Sequence, residues 1–390
     1  MPQSPKRWKR EILKAIARAE HALRVGDFGE VDPRLIRNFL FLQYESPLGS
    51  VVHATPVFES LKRAAPDSHI TVAGGSMAAS VLGHHPSIDR CIATASPFDN
   101  FVESRNAVRE LLRSMPAGAR CVITTIGNQR TRVAFLALAA GNALRAGYTL
   151  APEIYNIPLR FEPERGQIEG NLDILRRLGH EVPFCEPRMF FTQQDAEHAR
   201  ELLSSAAGKS DAPRIAFVTQ NSGGQRNQWS DGRFQHVIAS LTRRCGATPI
   251  FFGTAPEVAP IECLRQALPD PGVSAAGKTT VPQLAATLAQ CDLAVSLDTG
   301  TFHVARAVGL PAVVLSPAWQ SPLEWLPVDH PCYRVLRGPF IAEPPPGYSI
   351  EEVSAGQVVD AALDLLNRFP PSAASRAARV ERSTVTKVSG

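Results

Sequence analysis

The sequence predicts a doubly wound α/β protein of two domains. Three observations carry this: short apolar runs alternate with amphipathic helical stretches, the alternation pauses at a proline-bearing stretch over 151–163 and resumes, and 390 residues exceed one such core. Strands and helices alternating at this spacing imply right-handed crossovers and parallel sheets. In the first half, strands are expected over 39–44, 69–73, 89–93 and 121–126, with helices over 50–65, near 78, and over 102–113 and 131–140. After the linker, a helix runs through Leu172, Leu175 and Leu178. The second half repeats the pattern, with strands over 215–219, 249–252, 293–297 and 312–315 and helices over 231–244, 258–268, 282–291 and 301–308. An amphipathic helix over 350–369 closes the fold, and 370–390 reads as a polar disordered tail. The expected partition is an extension over 1–36, domains over 37–160 and 161–345, the closing helix over 346–369, and the tail. Two such domains leave a cleft outside the carboxyl ends of their strands, where ligands bind in sheets of this kind.

Composition narrows the function. At 44% hydrophobic and 20% charged residues the chain is of ordinary globular make-up. Its formal charge of +4 sits at the ends: residues 1–25 hold seven basic side chains against Glu11 and Glu20, and Arg376, Arg379, Arg382 and Lys387 face only Glu381. The stretch between is net acidic, which argues against a body-wide nucleic-acid surface. Trp8, Ile12, Ile16, Ala19 and Leu23 recur at helical spacing, giving a basic amphipathic helix suited to packing on the body, to an anionic membrane surface, or to a partner. Seven cysteines, odd in number and never in a Cys-x-x-Cys pair, indicate reduced, mostly buried thiols and no zinc site. No apolar run approaches the ~20 residues that span a bilayer, and the start lacks a signal-peptide core, so a cytoplasmic protein is expected.

The most informative stretch is 293–311. A buried strand delivers Asp298, and Thr299, Gly300 and Thr301 turn the chain into a helix whose first N–H groups and positive dipole end suit an anion. Gly300 permits close backbone approach, the threonine hydroxyls add donors, and His303 falls in the first helical turn. The same residues also suit plain helix capping by Asp298 or Thr299.

Asp298-Thr299-Gly300-x-x-His303 followed by Ala307-x-Gly309-x-Pro311 resembles the signature of the heptosyltransferase family of glycosyltransferases, which builds the inner core of lipopolysaccharide from ADP-heptose. Gly49-Ser50-Val51-Val52-His53-Ala54-Thr55-Pro56 with Leu61-Lys62, Gly277-Lys278-Thr279-Thr280 with Leu284 before Cys291-Asp292, and Trp229 with Phe234 agree in order and spacing. The resemblance covers 37–339. It implies the GT-B fold, two Rossmann-like domains facing across a cleft, and inverting transfer of a sugar from a nucleotide-sugar donor to a lipopolysaccharide core or other envelope glycan. It implies no metal and no resident cofactor. With a membrane-borne acceptor, the leader over 1–25 would make a peripheral contact with anionic lipid on the inner face of the cytoplasmic membrane.

By the same resemblance Asp298, Thr299, Gly300, Thr301 and His303 contact the donor pyrophosphate and sugar, Glu257 the ribose, Thr279 and Thr280 the adenine, and Ser222 the phosphates. Glu257 equally suits a first-turn helix carboxylate. Two positions depart from the pattern. The family's Gly-Asp, whose Asp acts as general base, is Gly49-Ser50 here, and a hydroxyl accepts no proton at neutral pH. Two residues before Trp229, where a Lys is expected on the donor phosphates, stands Asn227, with Arg226 beside it as a substitute cation. His53, three residues after Ser50 on the same side of the helix, is the candidate replacement base, with packing as its other role. Arg130 and Arg132 suit an anionic acceptor or a solvated helix face. The departures also leave open a relative that binds a nucleotide sugar without turnover. Gly272-x-x-x-x-Gly277-Lys278-Thr279 fits the phosphate loop of NTPases letter for letter, but it follows a helix and a turn rather than a buried strand, so NTP hydrolysis is a minor alternative.

Overall fold

The computed structural model describes residues 15, 19, 32–204, 212–221 and 227–385. Apart from Ala15 and Ala19, the expected basic helix before residue 26 lies outside the described residues. The chain divides into two compact units, with the boundary between Pro187 and Arg188.

The first unit is built on six parallel strands: β1 (Asn38–Gln43), β2 (His69–Gly74), β3 (Arg90–Ala93), β4 (Arg120–Thr124), β5 (Leu144–Tyr148) and β6 (Ile157–Leu159). Their order is β3-β2-β1-β4-β5-β6. All of β1 is buried, as a strand covered by helices on both faces must be. The helices are α1 (Leu48–Val52), α2 (Thr55–Ala64), α3 (Ser76–Leu82), α4 (Phe101–Ser114), α5 (Thr131–Leu138) and α6 (Gln167–Arg177). Three features differ from the sequence reading. The helix expected over 50–65 breaks after Val52, because Pro56 has no N–H for the Val52 carbonyl; the Thr55 hydroxyl donates to it instead at 2.8 Å. The expected linker over 151–163 contributes β6, where Pro158 is tolerated because the strand lies at the sheet edge. Its neighbour β5 was hidden by Arg145 and Gly147. Gly147 has φ 125°, and a Cβ there would lie 2.1 Å from the Thr124 carbonyl oxygen of β4.

Helix α6 belongs to this unit, which moves the domain boundary from 160 to 187. The Tyr148 hydroxyl donates to the Gly170 carbonyl at 2.7 Å. The Asn171 side chain accepts from Ile126 N–H at 3.1 Å and donates to the His53 carbonyl at 3.2 Å.

The second unit opens with β7 (Phe191–Thr192) and α7 (Gln193–Leu202). Its main sheet holds β8 (Arg214–Val218), β9 (Thr248–Phe251), β10 (Val273–Ser274), β11 (Leu293–Leu297), β12 (Ala312–Leu315) and β13 (Tyr333–Leu336), all parallel, in the order β10-β9-β8-β11-β12-β13. The topology repeats that of the first sheet. Around it run α8 (Asp231–Cys245), α9 (Val258–Gln266), α10 (Val281–Ala289), α11 (Gly300–Ala307), α12 (Ala355–Arg368) and α13 (Ala373–Ser383). Trp229 anchors the core: its ring meets Phe234 edge-on at 4.8 Å, and its Nε1 donates to the Val353 carbonyl at 3.0 Å.

The expected disordered tail is corrected by α13 and by β14 (Thr384–Val385), which pairs with β7. Arginines at 376, 379 and 382 recur every three residues and so share a face of α13. Arg376 makes two bonds to the Asp292 carboxylate, at 2.9 and 2.7 Å, with both side chains under a tenth exposed. Arg379 donates to the Ala289 and Cys291 carbonyls, and Arg382 to the Val308 carbonyl at 2.7 Å. These carbonyls end α10 and α11, where unpaired acceptors and the negative dipole end favour cations. The charge that looked like solvated tail is structural.

Candidate active site

Each sheet reverses its strand order once, between β1 and β4 in the first unit and between β8 and β11 in the second. A crevice opens there at the carboxyl ends of the strands. In the second unit, Asp298 leaves β11 and Thr299 stands at the N-cap of α11 without capping it: no side-chain bond closes the helix start. Simple capping by Thr299 is therefore not what the residue does. Among the described residues its buried Oγ1 has no hydrogen-bond partner, and neither has the buried Oγ1 of Thr219 at the end of the adjacent β8. Thr219 was not foreseen; its signal is only its place after a buried strand. Asn227 links the two loops, accepting from Asn221 Nδ2 at 2.6 Å and donating to the Asp298 carbonyl at 2.8 Å. The position where a phosphate-binding lysine was expected thus braces the crevice. Ser222 and Arg226 lie outside the described residues.

Asp298 Oδ1 and His303 Nε2 approach to 3.7 Å, with the side chains 10% and 5% exposed. Burial, with Glu324 adding repulsion, pushes the Asp298 carboxyl up to about 7; burial and Arg306 push the His303 imidazole down to about 3. The pair is held toward its uncharged forms. Trp325, also unforeseen, lies against the His303 ring with centroids 5.6 Å apart.

Two strands away, at the same edge of the sheet, the Gly277 N–H donates to the Gly253 carbonyl at 2.9 Å and joins the loops carrying Glu257 and Thr279. Glu257 Oε2 accepts from Thr254 N–H at 2.6 Å in a capping box, so one of its oxygens has a local structural task. Thr280 caps α10 in another capping box, and Thr279 beside it is half-buried. From β10 to β11 the edge extends roughly 14 Å at the usual strand spacing, room for an extended ligand. The phosphate-loop reading does not fit this geometry. Val273 and Ser274 form β10 inside the motif, and the helix begins only at Val281.

In the first unit Ser50 is buried in α1 and His53 is its C-cap, three residues on. The His53 side chain is enclosed, at 1% exposure. That burial argues against His53 as the base, because a proton acceptor must reach the acceptor hydroxyl. Arg130 and Arg132 flank the Phe98 ring, at 5.7 and 5.8 Å, but Arg132 Nη1 is engaged with the Phe98 and Pro97 carbonyls. Arg132 therefore holds the loop after β3, and Arg130 is the more available cation. Among the described residues no three His, Cys, Asp or Glu side chains gather as a metal site.

Two doubly wound units with an unclosed helix start at the switch point of the second are the architecture of GT-B glycosyltransferases. A sequence model of glycosyltransferase family 9 (heptosyltransferase) matches residues 120–330, and the chain belongs to that family. It is 25% identical over 299 residues to a putative glycosyltransferase of Haemophilus influenzae, a match covering 72% of this chain and 84% of that protein. Among solved structures, a family 9 glycosyl transferase from Veillonella parvula superposes with a TM-score of 0.76 at 21% identity, covering 87% of this chain and 99% of that one. The ADP-heptose lipopolysaccharide heptosyltransferase II of Escherichia coli gives 0.68 at 18% identity, over 84% and 98%. The chain is a glycosyltransferase of heptosyltransferase type.

Proposed function

We propose that the chain transfers heptose from ADP-heptose to a lipopolysaccharide core or a related envelope glycan, by a single inverting displacement. The observation that carries the proposal is the pair of buried, unpartnered hydroxyls of Thr219 and Thr299 beside an uncapped helix start. Buried hydroxyls without partners are costly, and here they stand where an anionic ligand would complete them. The similarity to an enzyme named for ADP-heptose and lipopolysaccharide supports the choice of donor and acceptor.

In this scheme the diphosphate lies at the start of α11, with Gly300 and Thr301 N–H groups and the threonine hydroxyls on its oxygens. Asp298 and His303 meet the sugar side, Ser222 and Arg226 serve the phosphates, and Glu257, Thr279 and Thr280 border the nucleoside. As the glycosidic bond to phosphate breaks, charge grows on the leaving diphosphate, and the helix start stabilises it in place of a metal. Arg130 suits a phosphate or carboxylate on the acceptor. The leader over 1–25 would hold the enzyme at the anionic lipid that carries the acceptor.

Calorimetric titration with ADP-heptose followed by incubation with a core acceptor tests the reading. Binding followed by heptose transfer is expected. Binding without transfer assigns the chain to the nucleotide-sugar binders, and absence of binding overturns the donor.

A further inference from the structure

Transfer to a hydroxyl needs a group that takes its proton, and the enclosed His53 and the hydroxyl of Ser50 do not supply one. We infer that Glu45 is the general base; the inference rests on the transferase reading above. Glu45 lies two residues past the end of β1, at the switch point of the first sheet, and its side chain is exposed. Among the described residues it is the one non-glycine with positive φ, 51°. An L-residue with a long side chain stays in that region only where its surroundings over-determine it. Here both neighbours are pinned by Asn128, whose Oδ1 accepts from Tyr44 N–H at 2.6 Å and whose Nδ2 donates to Ser46 Oγ at 3.0 Å. Tyr44 is held further by its hydroxyl, 2.5 Å from Thr94 Oγ1.

The strained backbone presents the carboxylate to a defined place. Its Oε1 accepts from Ser96 Oγ at 2.9 Å, in the loop that also carries Phe98 and, against it, Arg130 and Arg132. The same turn runs close to α1: a Cβ on Gly127 would meet Ser46 Oγ at 2.9 Å and Ser50 Cβ at 3.0 Å. A carboxylate and a guanidinium therefore share one loop cluster, with Phe98 seating the arginine, a set suited to a glycan hydroxyl and an anionic substituent. In the reaction the acceptor hydroxyl proton passes to Glu45 as its oxygen bonds to the anomeric carbon. The bond from that carbon to the diphosphate oxygen breaks, ADP leaves with the electron pair, and Glu45 then releases the proton to water.

Glu45→Gln and Glu45→Gly test this on the full chain, with heptose transfer, donor KM and thermal midpoint measured together. Both variants are expected to lose kcat by about 10²–10⁴-fold with donor KM unchanged. Glu45→Gly is also expected to keep or raise the midpoint, because glycine relieves the positive φ. Transfer that survives Glu45→Gln overturns the base alone. Lost transfer with a lowered midpoint in Glu45→Gly makes Glu45 a structural residue and overturns it too. A wild-type chain that transfers from no ADP-, UDP- or GDP-sugar overturns the transferase reading and this base with it.

Discussion

Replacing Asp298 by Asn separates the two members of the pair at the head of α11. Burial holds the Asp298 carboxyl at about 7 against an ordinary 3.8, so its share of stability is full below that ordinary value and fades as pH rises toward 7. His303 runs the other way: held at about 3 against 6.5, its share is full above 6.5 and is lost as pH falls toward 3. The slopes oppose one another between the two ordinary values. Asp298→Asn is expected to be more stable than wild type at pH 8, by on the order of a few kcal/mol, and to lose stability on acidification more steeply. Urea unfolding at alkaline, neutral and acid pH checks this; parallel pH slopes for the two proteins would contradict it. Thr219→Val and Thr299→Val carry the other prediction at this scale. Each removes a buried hydroxyl that has no partner, so the unliganded protein should be as stable or more so. Donor affinity should fall about tenfold per site, measured by calorimetry. Asp298 and Thr299 were legible because they sit in a dense motif. Thr219, Asn128 and Glu45 were not, since each matters through a neighbour distant in sequence.

Arg376 ties an element to the fold. It reaches Asp292, which also accepts from Arg214 N–H at 2.9 Å, so Arg376→Met leaves a carboxylate that is 2% exposed with only the more distant Arg379 guanidinium, 4.0 Å away, to balance it. A loss of about 3–5 kcal/mol is expected in urea unfolding. Replacing Asp292 by Asn in the same chain should recover part of it, because the under-compensated buried charge goes. No recovery would show that α13 acts through packing alone. The sequence reading missed this helix because its composition is that of a solvated segment: small residues and arginines with few apolar anchors. Its stability comes from the Asp292 carboxylate and from carbonyls at the ends of α10 and α11. The break between α1 and α2 was more legible in principle, since Pro56 removes one donor at a known position.

At the scale of the whole molecule, donor binding and membrane contact are the testable consequences. ADP-heptose at about a hundredfold over its Kd should add about 2.7 kcal/mol to the stability of the donor-binding unit. A thermal shift that vanishes in the Thr219→Val, Thr299→Val double variant would tie the gain to this site; an undiminished shift would place the donor elsewhere. Deleting residues 1–25 should release the protein from anionic vesicles while leaving soluble donor binding unchanged, and vesicle binding that persists would remove the leader from that role. Among the described residues no helix is long and apolar enough to cross a membrane.

The alternation of buried strands with amphipathic helices was enough to determine two doubly wound sheets, because each strand and helix announces itself through a local period. The stretch over 293–311 likewise announced an anion-suited helix start, since its strand, turn and helix are contiguous. Tertiary structure alone decided the rest. It placed α6 in the first unit, made an ordered helix of an arginine-bearing tail, set Asn227 between two loops, and enclosed His53. It also held Glu45 at positive φ through bonds from Asn128, more than eighty residues away. Periodicity records which face of an element is apolar. Which carbonyl an arginine reaches, and which carboxylate stays exposed beside a crevice, depends on contacts between segments that share no local pattern.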